Sequence, residues 1–90
     1  MKVHVIKIQE DFADAVLSGE KTFEVRENDR GYQKGDIVQF KVVERGGLTL
    51  EKYGHKLTGK RYRITYVLNG WGIKDGYVAF SIKPEEEVTP

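Results

Sequence analysis

The 90-residue chain has no cysteine, which excludes a disulfide framework and any thiolate metal site. It has no apolar run long enough to cross a bilayer, and the opening Met1-Lys2-Val3-His4-Val5-Ile6-Lys7 is too short for the apolar part of a signal peptide. A soluble cytoplasmic protein is the expectation, with no membrane partner. Net charge is scarce too: +1 at pH 7, which argues neither for nor against a polyanionic ligand. The two histidines, His4 and His55, stand at unrelated places and give no metal motif. There is no P-loop and no dinucleotide fingerprint, so neither a metal nor a cofactor is expected. At this length the chain is one domain with a small core, burying about 60–65% of its unfolded surface.

What is present is a series of short alternating stretches. Lys2 to Ile8 reads as a strand with both faces partly apolar, which suits a central position in a sheet. Glu10 to Ser18 reads as a helix of about two turns. Phe12 and Val16, and Ala13 and Leu17, make its apolar stripe, Glu10, Asp11 and Asp14 favour its N-terminus, and Gly19 suits the left-handed position that ends it. Lys21 to Asn28, Ile37 to Glu44, Lys60 to Leu68 and Tyr77 to Ile82 are four further strands. Their inward sets are Phe23 and Val25; Val38, Phe40 and Val42; Tyr62, Ile64, Tyr66 and Leu68; and Val78, Phe80 and Ile82. Gly46-Gly47 is a break, and Leu48 to Gly59 is either an extended hairpin or a loop. Residues 1–84 form the domain, and 85–90 an acidic, flexible tail. Five strands and one early helix define an α+β class, curled toward a barrel that removes exposed edges.

The chemistry concentrates in the second strand. If Phe23 and Val25 face the core, then Thr22, Glu24, Arg26 and Asn28 form a row on the open face, with Lys21 at its mouth. Such a row can line a polar ligand, or it can be a solvated face with cross-strand ion pairs. Lys21 suits a phosphate or a carbonyl oxygen, Glu24 can accept from an exocyclic amine, and Arg26 can fork onto phosphate or hold Glu24. Thr22 has no adjacent base to make it a nucleophile. His4, on the neighbouring strand, is either a ligand partner or a structural histidine. Asn28, Asp29 and Arg30 either continue the site or form the turn.

A second signal is the distribution of charge. From Lys52 to Lys74 there is no Asp or Glu, and Lys52, Lys56, Lys60, Arg61 and Arg63 interleave with Tyr53, Tyr62, Tyr66 and Trp71. Basic residues track phosphates and aromatic rings stack bases, so Lys52, Lys56, Lys60, Arg61, Arg63, Tyr53 and Trp71 are the nucleic-acid candidates. A lysine-rich hairpin kept soluble by its charge is the plainer alternative.

The segments His4-Val5-Ile6-Lys7-Ile8, Phe12, Gly19 to Arg30 and Gly35-Asp36-Ile37 resemble the ASCH-like domains of the PUA superfamily. They are most similar to a small branch found in phages and bacteria, whose pattern Thr58-Gly59, Ile64-Thr65-Tyr66 and Asp75-Gly76-Tyr77-Val78 also fit. Leu48 to Leu57 stands as an insertion. The resemblance implies a mostly-β, PUA-like pseudo-barrel of five to six strands with one short helix after the first strand. It implies a cleft between helix and barrel lined by Lys21 to Arg26, with RNA or a nucleotide as the ligand. With the residues read above, Lys21, Thr22, Glu24, Arg26, Asn28, Arg30 and His4 are the ligand-binding candidates, and single-stranded RNA or a nucleotide is the expected partner. Some small ASCH proteins are amidohydrolases that deacylate N4-acetylcytidine, and they resemble this chain at Gly19, Lys21, Thr22 and Arg26. Lys21 matches their catalytic lysine, Glu24 stands where they carry a catalytic threonine, and their later glutamate has no counterpart here. Lys21 and Glu24 are therefore the catalytic candidates if the chain is an enzyme, and the departure favours binding. A phage or bacterial accessory module that contacts another protein is the third reading.

Overall fold

The strand Val3–Gln9 (β1) turns His4, Ile6 and Ile8 inward and Val3, Val5 and Lys7 outward. The computed structural model describes residues 1–44, 52 and 54–85; Gly46-Gly47, Leu48 to Glu51, Tyr53 and the tail beyond Glu85 lie outside the described residues. Chain order continues with the helix Glu10–Ser18 (α1) and the strands Phe23–Glu27 (β2), Ile37–Val43 (β3), Arg61–Leu68 (β4) and Tyr77–Pro84 (β5). The strands form one sheet in the order β1-β3-β4-β5-β2, curled into a half-barrel. The β1–β3 pair is parallel and the other pairs are antiparallel. The interior holds Ile6, Ile8, Phe40, Ile64, Phe80 and their neighbours, and Leu57 from the β3–β4 connection plugs it. Among the described residues, no helix is long and apolar enough to cross a membrane.

Three strands differ from the sequence pattern. First, β1 is an edge strand, not a central one. Its second apolar face, Val3 and Val5, is about half exposed, so apolar residues on both faces do not here signal enclosure on both sides. Second, β2 is turned over. Glu24 is buried at 4% exposure, while Phe23 and Val25 stand outside at 51% and 52%. Register decides this: Glu24 lies opposite Phe80 and Arg26 opposite Val78, and both β5 residues face the core, so their partners share that face. Third, Thr65 is an extra residue in β4, where the register steps from Ile64 opposite Ile82 to Tyr66 opposite Ser81. Such a bulge reverses the alternation beyond it. Val67 therefore packs on the core, and Tyr66 is turned out to 62% exposure.

The helix buries a narrower stripe than its pattern implies: Ala13 and Val16 are enclosed, whereas Phe12 and Leu17 remain partly open. It ends as its sequence dictates. Gly19 adopts φ 86°, a left-handed conformation that costs glycine little, and donates its N–H to the Val16 carbonyl at 3.1 Å. The next bond, from the Lys21 N–H to the Ala15 carbonyl at 3.0 Å, seats Lys21 directly beneath the helix.

Curling brings the two sheet edges, β1 and β2, toward each other without backbone pairing between them. Two arginines join them instead. Arg26 Nη2 donates to the Lys7 carbonyl at 2.6 Å, and Arg30 Nη1 to the Val5 carbonyl at 3.0 Å. These carbonyls belong to the β1 residues that alternate away from β3, so they are edge acceptors a free strand leaves unpaired. Guanidinium groups thus close a seam that a sixth strand closes in a complete barrel.

Candidate functional site

A cleft of about 610 Å³ opens on this seam, between α1 and the β1 and β2 edges. Its wall is built from Lys21, Glu24 and Arg26, with Phe12 and Phe23 at the sides. The inversion of β2 is what brings the carboxylate here. A buried carboxylate requires partners, and Glu24 has one on each oxygen: Lys21 Nζ on Oε1, and Arg26 Nε on Oε2 at 2.9 Å. Lys21 Nζ also donates to the Phe23 carbonyl at 2.6 Å. It lies 5.6 Å from the Phe12 ring centroid and 5.1 Å from that of Phe23, within cation–π range of both. The cleft therefore presents a cation–carboxylate–cation row framed by two half-exposed rings. A carboxylate has about four lone-pair sites, so Glu24 keeps capacity for a ligand donor beyond its two cations.

The other expected ligand residues separate from this row. Thr22 is exposed and outside the cleft lining. Arg30 lines a neighbouring groove of about 340 Å³ with Arg26, Asp29 and Tyr32. Asn28 is a turn-former: its Oδ1 accepts the Tyr32 N–H at 3.0 Å, and its own N–H donates to the Gly76 carbonyl. His4 is a core residue whose Nε2 donates to Asp36 Oδ2 at 2.8 Å. Asp36 also accepts the backbone N–H groups of Lys2 and Gln33, each at 3.1 Å. Burial alone would raise the Asp36 carboxyl, but the hydrogen bonds from His4, Lys2 and Gln33 outweigh it and hold the group below the usual carboxylate range. The Tyr32 ring packs between His4 and Phe80, 4.7 and 4.8 Å away. Burial raises its hydroxyl pKa, against the opposing pull of Arg26 and Arg30.

The basic run is divided between α1 and the outer face of β4. Lys52 pairs with Glu10 at 3.7 Å, and His55 Nε2 donates to Asp14 Oδ1 at 2.7 Å, so this part of the connection is fastened to α1. Lys56, Lys60 and Arg61 line a groove of about 880 Å³, and Arg63 borders another of about 470 Å³. Neither groove shares a lining residue with the seam cleft. Trp71 follows the end of β4 opposite to Arg61, and the 8 residues of that strand span about 23 Å. Trp71 is 93% exposed. Tyr53 lies outside the described residues. Among the described residues, no three His, Asp or Glu side chains cluster as metal ligands do.

Sequence reasoning missed Phe12 and Phe23 as cleft walls, and Asp36 and Tyr32 as the partners that make His4 structural. The His4–Asp36 contact depends on the parallel register of β1 and β3, which sets His4 opposite Val38, two residues after Asp36, and the spacing of the two residues in the sequence gives no sign of it.

The architecture is that of a small half-barrel with a charged cleft on its open seam. The chain belongs to the family described as "Domain of unknown function (DUF3850)", which matches residues 3–82. It is similar to the "Uncharacterized 12.9 kDa protein in GpA 3'region" of Escherichia phage P2, with 33% identity over 57 residues, 63% of this chain. That match spans 52% of the phage protein's length.

Proposed function

We propose that the seam cleft binds the base of a nucleotide or of single-stranded RNA, in the manner of the ASCH-like domains the sequence resembles. The observation that carries this reading is the Lys21–Glu24–Arg26 row framed by Phe12 and Phe23. Aromatic rings offer stacking surfaces to any base, worth about 1–3 kcal/mol per base. Glu24 supplies an acceptor for an exocyclic amine, and Lys21 a donor for a ring carbonyl. Titration calorimetry with cytidine, cytidine monophosphate and N4-acetylcytidine tests it. Saturable binding, weakened at least several-fold by Phe12→Ala and by Lys21→Met, is expected. No binding of any of the three at millimolar concentration refutes it.

The contact between Lys21 Nζ and Glu24 favours a second reading, amidohydrolysis of an N4-acylated cytidine. The pair sets a cation that can polarise an acyl carbonyl beside a carboxylate that can accept a hydrogen bond from water. Acetate release from N4-acetylcytidine that Lys21→Met abolishes supports this reading over binding alone, and its absence leaves the cleft a binding site.

A further inference from the structure

The cleft leaves the outer face of β4 unused. Arg61 and Arg63 are both exposed there, two residues apart on one strand. Arg63 is the register partner of Lys83 on β5, so two cations stand directly opposite each other, an arrangement that destabilises a sheet unless something neutral or negative lies between. That counter-charge is Glu85, the residue after β5. Arg63 grips it at both oxygens, Nε on Oε2 at 2.8 Å and Nη2 on Oε1. The Glu85 N–H donates to the Arg61 carbonyl at 3.0 Å. Glu85 is thus fastened to β4 rather than free, and it borders both basic grooves, the one with Arg63 and Lys83 and the one with Lys56, Lys60 and Arg61.

A carboxylate held by both arms of an arginine fork occupies the position that two phosphate oxygens occupy in the same grip. We infer that this strip is a second site, for the phosphodiester backbone of a single RNA strand, and that Glu85 is a built-in competitor standing where one phosphate binds. Arg63 is the group both compete for. Lys83, Arg61, Lys60 and Lys56 continue the positive strip to either side. The site is distinct from the seam cleft and needs no base.

The experiment measures binding of a labelled single-stranded RNA oligomer, and of long-chain inorganic polyphosphate, at low salt. The proteins are the wild type, Glu85→Gln, Arg63→Ala, Lys83→Ala and the Glu85→Gln/Arg63→Ala double variant. All three side chains are at the surface, and thermal melts verify that each variant folds. Glu85→Gln is expected to tighten both probes about two- to fivefold, the equivalent of releasing one exposed ion pair. Arg63→Ala and Lys83→Ala are expected to weaken both, and the double variant is expected to lose the gain. Unchanged or weaker binding by Glu85→Gln overturns the inference, as does a gain that survives without Arg63. Polyphosphate carries no base, so this pattern together with no binding of cytidine nucleotides refutes the cleft reading alone. Nucleotide binding without any effect of Glu85 or Arg63 refutes the present inference alone.

Discussion

Replacing Glu24 by glutamine keeps the shape of the side chain and removes its charge, and the structure assigns the change a large cost in stability. Glu24 is 4% exposed and accepts one hydrogen bond from each of two cations. Hydrogen bonds to charged groups contribute about 1.5–3 kcal/mol each. Glutamine keeps one acceptor and turns an amide donor toward the other cation, so one bond is lost and one donor faces another. Complete burial of the unpaired cations would cost about 3–5 kcal/mol. Here the Lys21 and Arg26 side chains retain 17% and 25% of their exposure, so water recovers part of that. The expected loss is about 2–3 kcal/mol, or roughly 10–20 °C in melting temperature for a domain of this size. Phe23→Ala is the control: a ring already half in water has about 1 kcal/mol to lose. Circular-dichroism melts and urea titrations of both variants rank them. A Glu24→Gln melting temperature within about 3 °C of the wild type, or a Phe23→Ala variant less stable than Glu24→Gln, refutes the inward orientation of β2.

Asp36 has a depressed pKa in the folded state, so its contribution is complete above its unfolded value of about 3.9 and is lost as pH falls through the lower folded value. Wild-type stability therefore falls as pH drops below about 4, and Asp36→Asn, less stable at neutral pH, flattens that acid limb; an unchanged acid limb counts against the His4–Asp36 anchor. Leu57 is fully buried, so Leu57→Ala is expected to cost about 2–5 kcal/mol by urea denaturation, and a loss below about 1 kcal/mol shows that the connection does not plug the core. Trp71 has φ 52° and is almost wholly exposed, so Trp71→Asn is expected to leave stability equal or raise it by about 0.5 kcal/mol, since asparagine tolerates the left-handed region. A melting temperature lower by more than about 8 °C refutes that.

The elements themselves were legible because each carries its own period. The helix from Glu10 to Ser18 ends at Gly19 as written, and β3 and β5 point Val38, Phe40 and Val42, and Val78, Phe80 and Ile82, into the core as their alternation requires. Gln39 and Lys41, and Ala79 and Ser81, alternate with these residues, so hydrophobicity picks one face of each strand and pairing agrees with it. Orientation failed where local pattern and pairing disagree. In β4 the alternation is intact on paper, but Thr65, whose hydroxyl meets that of Ser81 at 2.7 Å, is an extra residue that no period reveals. In β2, alternation offered two faces and hydrophobicity chose the wrong one. The candidate row survived that error in part: Glu24 and Arg26, at even spacing, share a face whichever face it is, and Lys21, three residues before Glu24 and ahead of the strand, is brought to them by the turn beneath α1.

The inversion of β2 has a physical cause in the open seam. A sheet that curls without closing has two edges whose backbone groups need partners, and buried apolar side chains on β2 would supply none. Turning Glu24 and Arg26 inward places a guanidinium where it reaches the Lys7 carbonyl across the gap, and the carboxylate beside it orients that guanidinium through Nε. Lys21, seated by the end of α1, balances the remaining oxygen of Glu24. The same three side chains thus close the barrel and line the cleft on its seam, so the structural role of the row and its proposed ligand-binding role are coupled. A ligand that competes for Glu24 must also loosen the Arg26 bridge, unless it uses the carboxylate's spare lone pairs. This coupling predicts that nucleotide occupancy changes hydrogen exchange along the outer edge of β1, the strand that Arg26 and Arg30 hold, and not at the Trp71 end of β4. Exchange that is unchanged at β1 under saturating ligand separates the two roles and shows that the seam stays shut while the cleft fills.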